Sequence, residues 1–388
     1  MTIPPDGSVR DCASCRSTVP SGPFCGSCGA DQRKPVTPGR KLLRPNNFVA
    51  AHRQPVYLPL ITSTLCPHLA SRERIPFRHG LFLALAAVIG FSAARQLPLL
   101  VVLTCFGIPL LFVLYLWRSD IFRDIPARAL ILTSVLGTAI SVTWWLWSGS
   151  QVSAAYGIPL SAGFQLMNIV NLGLAVSVGD AVLMLVPAVA VRLLRPRSIE
   201  SLDGFVIGAL GALAFITAGT VTWLGSQFVS GLLDNYDSWR LFWRAMLYGI
   251  FDPLTATAAG GTLGLLLWFR PIRRPGQPRG IRLRLALCVL VTALCYVGVY
   301  AVDATNNPHS VEAAINLAIT ILALQTLRFA MQIAVLHEAP DTADREGSVR
   351  CIHCTAAVPA MAFCPQCGVA ERASSRSARK LRQGGSVQ

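Results

Sequence analysis

Residues 97–117 read LPLLVVLTCFGIPLLFVLYLW, a run with no charged side chain. At about 1.5 Å of rise per residue, a helix of this length covers about 30 Å, the thickness of a bilayer's hydrocarbon core. Its apolar residues run on continuously. They do not recur with the 3.6 period of an amphipathic surface helix or the 2 period of a half-buried strand. Seven further stretches share this character: 80–95, 129–148, 168–191, 204–225, 245–269, 283–302 and 312–336. The 388 residues are 53% hydrophobic and 14% charged, where soluble domains carry about 25% charged residues. The expected fold is therefore an all-α polytopic membrane protein with about eight transmembrane helices. An ordinary soluble enzyme, a disordered tail protein and a secreted disulfide scaffold are excluded.

Charge orients the spans. Eleven basic residues, Arg10 through Arg78, precede the first span, and seven lie in the C-terminal tail. Counting alternate loops places 30 basic residues on one side and 3 on the other, with Arg328 left inside a span. Lys and Arg accumulate on the cytoplasmic side, so both termini are expected in the cytoplasm, as an even number of spans requires. The net charge of +15 is thus a matter of topology, and it does not call for a nucleic-acid partner. The chain opens on a polar, Cys-bearing segment, so no cleavable signal peptide is expected. Arginine outnumbers lysine 31 to 3, a bias that fits a GC-rich bacterial genome and hence a bacterial inner membrane.

Twelve cysteines divide into three sets of four. Cys12, Cys15, Cys25 and Cys28 form the first set, and Cys351, Cys354, Cys364 and Cys367 the last. Each set reads C-x2-C-x9-C-x2-C-G. A constant shift of 339 residues also matches Val19 to Val358, Pro20 to Pro359, Phe24 to Phe363 and Gly29 to Gly368. Two C-x2-C knuckles supply four thiolates at the tetrahedral corners that Zn²⁺ prefers. About twenty residues cannot bury a self-sufficient core, so the metal would supply the folding energy. A cytoplasmic location keeps thiols reduced, which disfavours the alternative of paired disulfides. Each set resembles the short zinc ribbons of many bacterial proteins, with a structural Zn²⁺ that has no open coordination position. Cys66, Cys105, Cys288 and Cys295 fall in or near apolar segments and receive no role.

These features divide the chain into 1–33, an N-terminal zinc ribbon; 34–79, a basic linker and interfacial segment; 80–336, the membrane domain; 337–349, an acidic linker; 350–372, a C-terminal zinc ribbon; and 373–388, a basic disordered tail. His68 and His79, in the second segment, are expected to be solvated. Ionisable groups inside spans are functional candidates by default, and three stand out: Asp180, Asp252 and Arg328. They lie about 18, 27 and 12 Å from the cytoplasmic face by helical rise. Asp180 has Arg328 as a candidate partner, and Asp252 precedes Pro253, which should kink its helix. Gly204, Gly208, Gly260 and Gly264 fall in a small-xxx-small spacing that lets helices approach closely.

Asp203-Gly204-Phe205-Val206-Ile207-Gly208-Ala209, followed by Phe215, resembles the central motif of the PrsW-type glutamic intramembrane proteases, and the likeness extends over 168–270. That resemblance implies a Glu pair on the preceding helix, a Glu four residues after the Phe and a His on the following helix. Here those positions hold Gly179-Asp180, Gly219, and Asp252 or Tyr248. The catalytic set is mostly replaced. The expected function is a non-catalytic membrane scaffold that presents two cytoplasmic zinc ribbons to a protein partner and identifies no small-molecule substrate. Two alternatives stay open: an intramembrane endopeptidase that uses Asp180 and Asp252 as a dyad, and a transporter of a small solute or protons.

Overall fold

A computed structural model describes residues 9–33, 47–52, 54–58, 60–70, 72–156, 165–194, 200–229, 237–272, 280–303, 308–338 and 348–379. Among them are eight helices long and apolar enough to cross a membrane, each coinciding with one of the eight apolar stretches. In chain order the helices are α1 (Ile61–Leu65), α2 (Ile75–Ala93), α3 (Leu97–Arg118), α4 (Ile121–Asp124), α5 (Ala127–Tyr156), α6 (Gln165–Leu193), α7 (Ser201–Val229), α8 (Ser238–Met246), α9 (Asp252–Trp268), α10 (Ile281–Asp303) and α11 (His309–His337). A π-helical stretch, Leu247–Phe251, joins α8 to α9 so that the two make one span. Pro253 in the first turn of α9 has no amide to donate to the carbonyl four residues back, and the π turn just before it absorbs that break. Asp237 starts α8 by accepting a hydrogen bond from the Arg240 amide at 3.1 Å.

Three spans form the inside of the bundle. The α7 and α8–α9 spans are each 78% buried and α11 is 72% buried, whereas none of the other five exceeds 39%. The inner pair α7 and α9 meets through the four glycines named above. A Cβ on Gly208 would sit 2.0 Å from the Gly260 carbonyl oxygen, and one on Gly264 would sit 1.9 Å from that of Gly204. No larger residue allows this backbone contact. The outer helices keep large apolar side chains such as Phe82, Leu110, Ile131 and Leu290 on their outward faces, as helices set against lipid require.

Each Cys-rich end folds as a small module. In the first, β1 (Val9–Asp11) pairs antiparallel with β2 (Thr18–Pro20). In the second, β3 (Ser348–Arg350) pairs with β4 (Ala357–Pro359) in the equivalent register. The knuckles repeat down to the dihedral angles: Arg16 and Thr355 have φ of 58° and 61°, and Gly29 and Gly368 have φ of 70° and 73°. The glycine after each second knuckle supplies this left-handed turn without a Cβ penalty.

Two regions read from the sequence as loosely held are folded. The described residues between 47 and 70, expected to be tether and interfacial segment, contribute to the core, with Phe48, Val49, Ala50, Ala51, Val56 and Leu69 all buried. Residues 373–379, the start of the expected disordered tail, end in a helical turn over 376–379, with Ala373, Ser374, Ser375 and Arg379 buried. Both segments are rich in Pro, Ser or Arg and show no apolar period, so the side chains that hold them come from elsewhere in the chain. Most of the acidic linker, the basic stretch 34–46 and the loop 230–236 lie outside the described residues.

Candidate metal centres and intramembrane site

Within each module the four Sγ atoms lie within 4.8 Å of one another. Cys12 and Cys28 are 3.8 Å apart, Cys15 and Cys25 3.7 Å, Cys351 and Cys367 3.7 Å, and Cys354 and Cys364 3.8 Å. A tetrahedral ion with metal–sulfur bonds of about 2.3 Å has ligand edges of about 3.8 Å, so both sets fit such an ion. All twelve cysteines are among the described residues, and none is in a disulfide.

The modules do not stand apart. The Phe24 amide donates to the Pro365 carbonyl at 2.9 Å, and the Phe363 amide donates to the Gly26 carbonyl at 2.9 Å. Phe24 and Phe363 are equivalent under the 339-residue shift, and so are Gly26 and Pro365. The two bonds are therefore the same contact made twice about a pseudo-two-fold axis. Side-chain packing follows suit, with the Phe363 ring against Gly29 and the Phe24 ring against Gly368. The second module is part of the main core, while the first rides on it through Met361. Asn47 Nδ2 donates to the Gly368 carbonyl at 3.3 Å, His52 to that of Cys367 at 3.4 Å, and the Ala370 amide to that of Val49 at 2.8 Å. Gln332 of α11 completes the clamp, accepting from the Val49 amide at 2.9 Å and donating to the Asn47 carbonyl at 3.0 Å.

Arg328 is not a partner of Asp180. Its guanidinium, fully buried, donates to Val56 O at 3.1 Å, Ser63 Oγ at 2.7 Å, Thr64 Oγ1 at 3.2 Å, Gln54 Oε1 at 3.3 Å and Pro55 O at 3.1 Å, and it stacks 3.8 Å from the Phe48 ring centroid. All five acceptors are neutral. Its role is to hold the 47–64 segment against α11, and the planar fork of five donors suits it to that task.

His68 is also unlike the expectation. It is 8% exposed and shares a hydrogen bond of 2.5 Å with the Tyr115 hydroxyl. Burial, with the nearby charges of Arg379 and Arg74, pushes its pKa down to about 3, so it is held neutral. Beside it, burial pushes the Cys66 thiol up to about 12, which makes it an inert core thiol.

Asp180 and Asp252 are both deep in the bundle, 2% and 1% exposed. The Tyr296 hydroxyl donates to Asp180 Oδ2, and the Tyr300 hydroxyl lies 3.3 Å from that of Tyr296. Both tyrosines are within electrostatic reach of both aspartates, a link the sequence offered no spacing to reveal. Towards the end of the bundle opposite the Cys-rich modules lies a cavity of about 180 Å³, lined by Trp145, Ile216, Gly219, Thr220, Trp223, Tyr248 and Tyr300. No carboxylate or histidine is among these lining residues. Arg244 closes over the Trp223 and Tyr248 rings and donates to the Tyr248 hydroxyl at 3.0 Å.

Gly179 and Gly219 are each covered by a tryptophan of α5. A Cβ at Gly179 would lie 2.5 Å from the Trp144 ring, and one at Gly219 would lie 2.4 Å from Trp145 Nε1 and 3.1 Å from Ser141 Oγ. Comparisons with protein-family models, with curated proteins and with solved structures find no match to this chain.

Proposed function

We propose that this chain is a non-catalytic, multi-pass membrane scaffold with a degenerate PrsW-like core, whose two terminal zinc ribbons pair at the cytoplasmic end of the bundle. The observation that carries this reading is the filling of the Gly179 and Gly219 positions by Trp144 and Trp145. A glutamate needs room for its own side chain and for a water within hydrogen-bond reach. Here an indole stands over each of the two glycines, and Asp180, the one carboxylate left at the implied glutamate positions, is taken up by the Tyr296 hydroxyl. The adjoining cavity is walled by aromatic, aliphatic and hydroxyl groups, which offer no base to activate a water.

Zinc is the metal that four thiolates with tetrahedral edges favour. Cys12, Cys15, Cys25 and Cys28 would hold one ion, and Cys351, Cys354, Cys364 and Cys367 the other. Its contribution is structural, since four protein ligands leave no position for substrate. The excess of basic residues on alternate loops supports a cytoplasmic position for both ribbons, and the arginine bias supports a bacterial inner membrane. Ribbon surfaces turned away from the pseudo-two-fold axis are where a protein partner would bind.

The test is a comparison of protein N-termini in cells that lack the chain and are complemented with the wild type or with the Asp180→Asn/Asp252→Asn variant. Identical sets are expected. A fragment generated by the wild type and missing with the variant would overturn the reading. That result would promote the endopeptidase alternative, which the shared reach of Tyr296 and Tyr300 to both aspartates favours.

A further inference from the structure

Three arginines at the end of the second Cys-rich module and just after it, Arg372, Arg376 and Arg379, are not accounted for by the metal centres or the intramembrane site. Arg372 Nη1 pairs with Glu338 Oε2 at 2.9 Å. Arg376 pairs with Asp203 and, through Nε at 3.4 Å, with Glu200. Arg379 pairs with Glu200 and donates to the Ser374 carbonyl at 2.9 Å. The backbone takes part as well. The amides of Arg376 and Ser377 donate to the two carboxylate oxygens of Asp124, the latter at 2.9 Å. Three of these acids are nearly inaccessible: Glu200, Asp203 and Glu338 are 4%, 5% and 6% exposed. Glu200, Ser201 and Asp203 form the start of α7, and Glu338 reaches back to accept from the Ser201 amide at 2.8 Å and its hydroxyl at 2.7 Å. The segment thus crosses the end of the bundle and touches the ends of α4, α7 and α11.

Its root is inside the metal-binding module. Ala370 bridges to Phe363, the Cys364 amide donates to the Val369 carbonyl, and the Glu371 amide donates to that of Ala362. Cys364 and Cys367 are metal ligands on this hairpin. A module of this size has no sufficient core without its ion, so losing the ion removes the hairpin from which the arginines project. Glu200, Asp203 and Glu338 then lose the cations that offset their burial, Asp124 loses two amide donors, and each buried acid left unpaired favours opening of the site.

We propose that residues 371–379 are a metal-dependent strap: loading of the second four-cysteine site holds Arg372, Arg376 and Arg379 on the acidic end of the bundle, and loss of that metal releases them and opens the site to water. The strap holds whether or not the core is catalytic. It makes the state of the helix ends at α4, α7 and α11 depend on metal supply.

The test is amide hydrogen exchange on the full chain in lipid nanodiscs, zinc-loaded and after removal of zinc by a chelator. Metal removal is expected to speed exchange of residues 371–379 and of the first turn of α7 at least tenfold. Amides in the middle of α7 and α9 are expected to stay unchanged, which reports that the bundle is intact. A second variant, Glu200→Gln/Asp203→Asn, leaves every thiolate in place. It should free residues 376–379 while the chain still holds two zinc ions. Unchanged protection of 371–379 after chelation would overturn the proposal, as would the same protection in the Gln/Asn variant. Equal, rapid exchange of 371–379 in the zinc-loaded wild type would overturn it too.

Discussion

Replacing Arg328 with methionine removes five donated hydrogen bonds and the stack on Phe48 without emptying the space. The cost follows from what each acceptor has left. Ser63 and Thr64 hydroxyls keep their bonds to the Leu60 carbonyl, and Val56 O keeps its bond from Gln325 Nε2. Gln54, half-buried, and Pro55, exposed, lose the donors described for them, at about 0.5–1.5 kcal/mol for each bond, since water reaches these acceptors. The lost cation–π contact adds about 0.5–2 kcal/mol. Relief of the guanidinium's desolvation offsets part of this, leaving a net loss of about 2 kcal/mol. The assay is reversible unfolding in mixed detergent micelles, run as a double-mutant cycle with Asp180→Asn. Because Arg328 serves the 47–64 segment and Asp180 serves Tyr296, the two effects should add to within about 0.5 kcal/mol. A loss under about 1 kcal/mol, or a coupling above about 1 kcal/mol, would refute the assignment.

Other outcomes are equally specific. Gly219→Ala should destabilise the bundle by about 1–3 kcal/mol through collision with Trp145, while Gly90→Ala, with nothing within 4 Å of its Cβ, should be neutral or stabilising by about 0.5–1 kcal/mol; equal melting temperatures for the two would refute the packing described. Metal analysis of the purified chain should return two zinc ions, falling to one in Cys25→Ser, and a wild-type value of one or none would dismiss the paired-ribbon account. His68 binds its proton in the unfolded chain near pH 6.5 and in the folded chain only near pH 3, so its contribution is complete above pH 6.5 and declines as the pH falls through that window. At pH 5 the loss amounts to about 2 kcal/mol. His68→Gln should flatten this part of the stability profile, and an unaltered profile would show that the ring is not held neutral.

The spans were legible because bilayer thickness imposes length and lack of charge on every one of them, and the intervening arginines mark their ends. The two four-cysteine sets were legible because tetrahedral thiolate ligation needs fixed knuckle spacing. What escaped the sequence depends on contacts between remote residues. Arg328 reads as a charge among apolar neighbours, yet its partners lie more than 260 positions away and are mostly carbonyl and hydroxyl groups, which carry no compositional mark. His68 looks like a loop histidine because Tyr115 belongs to another helix. The repeat that relates Phe24 to Phe363 announces two similar modules, but only the reciprocal bonds to Pro365 and Gly26 reveal that they face each other. Arg376 and Arg379 read as tail, since the acids that order them come from α4 and α7. The tryptophans over Gly179 and Gly219 carry no motif at all.

The pairing of the two Cys-rich modules is tested most directly by photo-crosslinking in the native membrane. Met361 packs on Gly26 across the pseudo-two-fold axis, so a photoreactive phenylalanine analogue at position 361 should join the peptide containing Gly26 to its own within one chain. The yield should not depend on expression level and should fall after zinc is removed. A crosslink formed only between chains, or none to residues 9–33, would contradict the closed pair.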